Sequence, residues 1–580
     1  MSTGAGVHPI ANNRLPTDIL LCILHYCDFR TIIQFSTTCK KSQIIVRQST
    51  SLQLCVELDV NGLEIVKQSL KAGVTHAVIL EELKGYRDAW LRFRFGPPLQ
   101  RPATNPIMPP RPGQCHGEAY FEPFCAPGVG EDTNKRCQFN RIQVTSFRPP
   151  TNSNPPLDFK RTFKTFSVDP KQDLIVLIEY EDASFTRVDI HLNHLSTTKP
   201  HSLAQYHTLT VRFEELDEGQ GFYYGGTWIM GHILLARFTP ASQKNRSNCD
   251  NIAIWNWQSG LFLGRILSGT NNTIPTFFDK NHLLFFSYTS GSSSSAKLVQ
   301  SQPALLVYRI PTSITVSAQE PLIADCYMPS CPSLRPTLTL EFPRLDPKYR
   351  VSRSVLWDTL ARPGDLAYQR SAQVAHSDIK TVALSLWMAE KRPSKNGKVI
   401  PTLYSIFVST DSILDHLSEN RSEETATIIW SDWGAAATRW FADDRDCSNI
   451  AKIHGSSHLV IVYNPLRKNK IQITSCTREF NSQIIKRHTC DALDQNEREK
   501  VSRGKSLTFG DKSDDIRIVG RDTKTVVHTG FEQPVESTLP YMVVDRARSK
   551  LPFTGWYMHS DYLVEVTSIG SFLSLYQLDF

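Results

Sequence analysis

The chain has 580 residues, 40% hydrophobic and 21% charged, with 64 basic against 57 acidic side chains and a net charge of +7. That length exceeds what one hydrophobic core supports, so several domains or one long repeat array are expected. Basic clusters stay as short as Arg467-Lys468-Asn469-Lys470, a solvated turn rather than a nucleic-acid footprint, and no run of about 18 apolar residues exists to span a membrane. The thirteen cysteines are scattered, and the opening MSTGAGVHPI has neither a basic nor an apolar leader region. The expectation is a reduced compartment, cytosol or nucleus, with most thiols packed as small hydrophobes.

Residues 15 to about 95 read as helical. Ile19, Leu20, Ile23, Leu24 and Cys27 recur at three- and four-residue spacing behind Pro16, whose missing N–H costs nothing at a helix start. Asp18 sits in the first turn, where the helix dipole favours a carboxylate. Asp28 is placed to cap a second helix carrying Ile32, Ile33 and Phe35, and a third holds Cys39, Ile44, Ile45 and Val46. The stretches 62–72 and 79–95 continue the helical character as a linker over 56–96, which ends at Gly96-Pro97-Pro98. The proline-rich segment 97–139 that follows reads as an irregular strap.

From about residue 140 the period changes to two. Short β-branched and aromatic runs recur, among them DLIVLIEY (173–180), WIMGHILLARF (228–238), NIAIWNW (251–257), ALLVYRI (304–310), KTVALSLWM (380–388) and HLVIVYN (458–464). Turns rich in Gly, Ser, Asn, Asp and Pro separate them, and hardly a helix-length amphipathic segment interrupts. A β region of roughly 440 residues is too large for one sandwich, whereas repeated small sheets around an axis need only cover their neighbours. Weak internal similarity agrees: Gly231–Ala236 leading to Ile254–Gly260, Asp279–Phe285 leading to Leu305–Ile310, and Asp173–Leu177 leading to Val188–Asn193. The Trp255-Asn256-Trp257-Gln258-Ser259-Gly260 unit resembles the strand end and turn of degenerate WD-type blades. The expected fold is α+β and multidomain: helices first, then an all-β region over 140–580, a degenerate propeller of six to eight blades.

The order Leu15-Pro16-x-Asp18-Ile19-Leu20-x-x-Ile23-Leu24-x-x-Cys27-Asp28, with Ile32, Phe35-Ser36, Cys39-Lys40-Lys41 and Ile44 behind it, resembles the F-box family over residues 14–55. The resemblance implies a three-helix unit that docks on a Skp-type adaptor and thereby on a cullin-RING ubiquitin ligase. It would make the chain a non-catalytic substrate receptor, without cofactor, whose β region binds a protein target. Carried over by position, the adaptor-facing set is Leu15, Pro16, Ile19, Leu20, Ile23, Leu24, Ile32, Ile33 and Cys39. Family members usually carry Trp three residues after the cysteine of the third helix. Here that position is Ser42. The alternative is a propeller scaffold whose helices cap their own β region, with no ligase role.

No catalytic constellation stands out. His454-Gly455-Ser456-Ser457-His458 lacks a nucleophile-elbow context and reads as a turn. Cys115, His116, Cys125 and Cys137 lack the close cysteine pair of a zinc knuckle, and Cys326 with Cys331 is equally loose. Trp430-Ser431-Asp432-Trp433-Gly434 is expected to pack an edge of the β region. Gly291–Ser295 reads as a flexible loop, and Arg237, Arg265 and Arg439 are candidates either for a phosphate-reading pocket or for ordinary surface positions.

Overall fold

The structure is a computed structural model. It describes residues 15–92, 94–102, 114–125, 139–147, 155–180, 186–213, 222–240, 250–269, 273–289, 302–311, 324–357, 362–391, 401–419, 424–443, 452–466, 470–489, 515–547, 555–566 and 572–580. Helix α1 (Thr17–Leu24) begins directly behind Pro16. Helix α2 (Phe29–Thr38) is capped by Asp28, whose carboxylate accepts the Thr31 amide at 2.8 Å; bonding to Thr31 holds this acid below its ordinary range. Helix α3 (Lys40–Gln48) uses Cys39 as its cap, and α4 (Thr50–Val60) uses Ser49. Helix α5 (His76–Leu91) follows.

The stretch 62–72 is not helical. Gly62 takes φ +64° and turns the chain where a Cβ would lie 2.5 Å from the Asp378 carboxylate. The chain then enters a strand, Leu63–Ile65, antiparallel to Gln373–His376, which pairs in turn with Leu366–Gln369. Helix α5 packs on this three-stranded sheet through Leu83, Tyr86 and Trp90.

The remaining strands, apart from one hairpin, form seven sheets of four or five strands among the described residues. The first joins Leu99–Pro102 to Phe572–Gln577, Tyr562–Val566 and Gly555–His559. The second runs Gln114–His116, Ala119–Phe124, Phe139–Ser146 and Leu157–Phe163. The third runs Thr165–Asp169, Leu174–Tyr180, Arg187–His194 and Thr208–Arg212, with Asp325–Tyr327 added in parallel at its edge. The fourth is Phe222–Met230, Ile233–Pro240, Asn251–Asn256 and Leu261–Leu267. The fifth is Thr276–Phe277, His282–Thr289, Gln302–Arg309 and Leu338–Glu341, edged by Ala426–Ile428. The sixth is Tyr349–Leu356, Thr381–Glu390, Thr402–Ser409 and Thr438–Asp443. The seventh is Lys452–His454, Ser457–Leu466, Lys470–Glu479, Tyr541–Ala547 and Asp515–Val519.

These sheets differ from the sequence reading at three places. The β region starts at Leu99, not near 140; Pro102 is tolerated because Leu99–Pro102 is an edge strand. The run 228–238 is two strands, turned at Gly231 with φ +54°. Helices also interrupt the β region: α6 (Thr410–Glu419), α7 (Trp430–Ala437) and α8 (residues 482–489). On α7, Trp433 is buried and its indole N–H donates to the Glu341 carbonyl at 2.9 Å. Gly434 is required there, since a Cβ would overlap the Trp430 ring. The expected packing role of these tryptophans holds, on a helix.

Two tryptophans mark how adjacent sheets share a core. Trp255 and Trp257 are fully buried between the third and fourth sheets, and the Trp257 indole donates to the Gly231 carbonyl at 2.8 Å. Asn256 closes the turn after them by accepting the Gln258 amide at 3.1 Å, and Gly260 supplies φ +69°.

Candidate functional site

The N-terminal helices present two faces with opposite fates. The inward face places Leu24, Ile32, Val46, Leu52 and Val56 in one cluster with Leu91 of α5, Ile484 and Ile485 of α8, and Met542 and Val544 of the seventh sheet. Polar contacts seal this seam. The Asn481 amide donates to the Val60 carbonyl at 2.7 Å in a buried setting. Glu57 is shared by Arg87 and Arg487, and the Phe29 amide donates to Asp59 at 2.9 Å. An exposed ion pair of 2.8 Å links Arg30 of α2 to Asp415 of α6.

The outward face is apolar without a cover. Leu15, Ile19, Ile23, Ile33 and Ile44 keep between 44% and 52% of their surface exposed, and Tyr26 keeps 94%. Pro16 and Cys39 are exposed as well, while Leu20 is half-buried. The nine positions carried over by resemblance therefore divide. Leu24 (4% exposed) and Ile32 (0%) point into the chain's own core, and the other seven remain at the surface. Helical spacing alone does not separate the two groups, because α1 is apolar on more than one side.

Ser42 is buried beneath the turn between α2 and α3, its hydroxyl 3.2 Å from both Thr38 Oγ1 and Cys39 Sγ. In this chain the position is a local capping element. Bonding to Ser42 also holds the exposed Cys39 thiol below its ordinary pKa.

The other candidates resolve into structure. His454–His458 spans a hairpin turn with Gly455 at φ +60°. His458 is buried against the Phe407 ring, centroids 4.5 Å apart, with no hydrogen bond to either ring nitrogen, and burial pushes its pKa well down. Cys115 and Cys125 lie in separate apolar clusters, and no set of three His, Cys, Asp or Glu is placed for a metal among the described residues. Cys137, Gly291–Ser295 and Arg467–Asn469 fall outside the described residues. The three arginines do not form a common pocket. Arg237 donates to the Thr273 and Gly225 carbonyls, Arg265 to Met328, and fully buried Arg439 to Leu539 and Thr523.

One arrangement escaped the sequence reading, because it joins residues 173, 194 and 202. Asp173 Oδ2 lies 2.9 Å from His194 Nδ1, and His194 Nε2 lies 3.1 Å from Ser202 Oγ. The Ser202 amide also donates to that Nε2 at 2.9 Å, so its lone pair is already engaged and the group fastens a loop.

An apolar helical face left exposed among the described residues is the kind of surface that docking modules of short helices present. Residues 13–53 match the family model of the F-box domain, and the chain carries an F-box domain there. No curated protein matches the chain. Among solved structures it is similar to the WD40 domain of SCAP from fission yeast, at 9% identity, with 83% of this chain and 98% of that chain covered and a TM-score of 0.24. A score that low decides nothing about the β region, whose description rests on its own sheets. No helix among the described residues is long and apolar enough to cross a membrane.

Proposed function

We propose that this protein is a non-catalytic substrate receptor of a cullin-RING, SCF-type ubiquitin ligase, working in the cytosol or nucleus. F-box domains bind Skp-type adaptors and through them cullin scaffolds. The outward set of Leu15, Pro16, Ile19, Leu20, Ile23, Ile33 and Cys39 is the adaptor contact. The observation that carries this reading is the F-box match at residues 13–53 together with the uncovered apolar face of the same helices. The receptor acts by raising the effective concentration of target lysines near the ligase's catalytic partner, which requires no acid, base or metal of its own.

The β region is the protein-target platform, and we read its seven sheets as a seven-bladed propeller. Three features support this: the sheets follow one another along the chain, strand Leu99–Pro102 completes a sheet built from the last three strands, and first strands of successive sheets touch. Lys452–His454 of the seventh sheet meets Gly555–His559 of the first, which meets Gln114–His116 of the second.

Retention of a Skp-type adaptor by the full-length chain in mild salt tests the receptor reading. Ile19→Asp with Ile23→Asp abolishes retention and leaves the fold intact. A folded chain that never holds the adaptor overturns the reading. That result favours the second one, a scaffold whose helices serve only as its own cap, for which the inward seam and the buried Asn481–Val60 bond speak.

A further inference from the structure

The segment after residue 323 crosses from one sheet edge to another. Asp325–Tyr327 lies in parallel on Thr208–Arg212, the outer strand of the third sheet, and Arg212 pairs with Asp325 at 2.8 Å. A 3₁₀ turn over Met328–Ser330 then carries the chain to the outer strand of the fourth sheet. There the Arg265 amide donates to the Pro332 carbonyl at 3.0 Å and the Leu334 amide to the Arg265 carbonyl at 2.7 Å. Leu334 sits so tightly on Gly264 that a Cβ there would lie 2.9 Å from its side chain. The strap ties two adjacent sheets together at their rims.

Inside this strap Cys326 and Cys331 turn toward each other. Both are buried, at 1% and 3% exposure, and their sulfurs are 2.6 Å apart. The turn between them is fixed independently of the sulfurs, by the Cys331 amide donating to the Met328 carbonyl at 3.2 Å and the Arg265 guanidinium donating to the same carbonyl at 2.7 Å. Arg265 Nε is buried without a hydrogen-bond partner beside this pair. No third ligand completes a metal site among the described residues. We infer that Cys326 and Cys331 are a dithiol built to close reversibly into a disulfide that staples the strap across the third and fourth sheets.

The chemistry follows from the surroundings. The contact between the two sulfurs holds the Cys331 thiol below its ordinary range, and the nearby Arg265 charge adds to this, so Cys331 is the first nucleophile. The Cys331 thiolate attacks one sulfur of an oxidised low-molecular-weight disulfide, such as glutathione disulfide, and displaces one thiolate. Cys326, losing its proton, attacks the Cys331 sulfur of this mixed disulfide and displaces the second. Two protein thiols are oxidised, one external disulfide is reduced to two thiols, and the released protons go to those thiols. Burial of both sulfurs requires the strap to open locally for the first step, so its rate reports strap opening.

The test uses the full-length native chain, equilibrated in glutathione buffers from fully reduced to fully oxidised, quenched by alkylation and read by peptide mass. In oxidised buffer the peptide carrying both cysteines loses two hydrogens and takes no alkyl group at either. Reduction restores two alkylatable thiols, and proteolytic nicking of residues 325–334 slows several-fold in the oxidised form. A Cys331→Ser variant leaves nicking unchanged between the two buffers. Two alkylated thiols at every buffer ratio, or only mixed glutathione adducts, overturn the proposal, and neither readout depends on the variant folding.

Discussion

Helices α1 to α5 and the seven sheets treat the same kind of side chain in opposite ways. In the sheets, runs such as Leu174–Ile178 and Ile252–Trp255 vanish completely into shared cores. In the much shorter helical region, Leu15, Ile19, Ile23, Tyr26, Ile33, Ile44, Leu70 and Val78 stay exposed, more large apolar side chains than are exposed among the described residues of the β region. The sheets satisfy their apolar faces against their neighbours, while the helices bury one face internally and leave the other at the surface.

The sharpest way to break that comparison is a matched pair of charges on α1 and α2. Ile32→Asp puts an unpaired carboxylate into the fully buried seam and should prevent stable folding, since even Ile32→Ala costs about 2–5 kcal/mol. Ile23→Asp, on the outward face, should shift stability by no more than about 0.5 kcal/mol while weakening adaptor binding by about 2 kcal/mol or more. Urea melts and adaptor titrations of both variants measure this. Equal destabilisation by the two would mean that the outward face is also part of the protein's own core.

Next in size is the interior of the β region. Arg439 is fully buried at the junction of the sixth sheet with residues 520–525 and 539; its guanidinium donates to backbone carbonyls and to Thr525 Oγ1, with Tyr541 beneath it at 5.2 Å. Arg439→Ala orphans several of those acceptors and should cost about 3 kcal/mol in a denaturant melt. A phosphopeptide-reading arginine in its place would leave stability nearly unchanged on truncation and lower target binding instead.

Legibility follows the same division. The capping role of Asp28, the presence of α2 and α3, and many strands in the sheets were readable, because local spacing and caps report local structure, although Cys39 caps α3 rather than lying within it. The order of apolar residues in α1 also pointed to the F-box domain. It did not reveal that Leu24 and Ile32 belong to the inward seam, because their partners lie on α8 and the seventh sheet, over 400 residues away. Likewise GLEIVKQSLKA looked helical, but Gly62 turns the chain and Leu63–Ile65 pairs with Gln373–His376 as a short edge strand followed by turns. Tertiary pairing overrode local propensity there. Ser42 was readable as a missing aromatic, but its burial under the α2–α3 turn was not.

A smaller effect separates the two regions by pH. His458 is buried in the seventh sheet with Arg478 opposite it, and its pKa lies well below the ordinary 6.5. The unfolded chain therefore takes up a proton first as pH falls, so the site is cost-free above pH 6.5 and destabilising below it, at most about 1.4 kcal/mol per pH unit. Neighbouring Glu479 is shifted upward by burial, with the opposite slope at lower pH, which is why the comparison must be made against His458→Leu in otherwise identical chains. The difference in stability between wild type and His458→Leu should open between pH 6.5 and 5. A constant difference would mean that His458 takes up its proton as readily in the folded sheet as in the unfolded chain.

The smallest effect belongs to the Arg30–Asp415 pair, which joins α2 to α6. Both partners are about half exposed, 46% and 54%, so solvent screening and side-chain entropy take most of the Coulomb attraction. A double-mutant cycle of Arg30→Ala and Asp415→Ala should return a coupling below about 0.5 kcal/mol that fades as salt is raised. Helices α1 to α4 are then held on the sheets chiefly by their apolar seam and the buried Asn481–Val60 bond, with the Glu57–Arg487 pair beside them. A coupling above about 1.5 kcal/mol would instead make the attachment electrostatic, and adaptor docking on the outward face would then change with ionic strength through the position of α2.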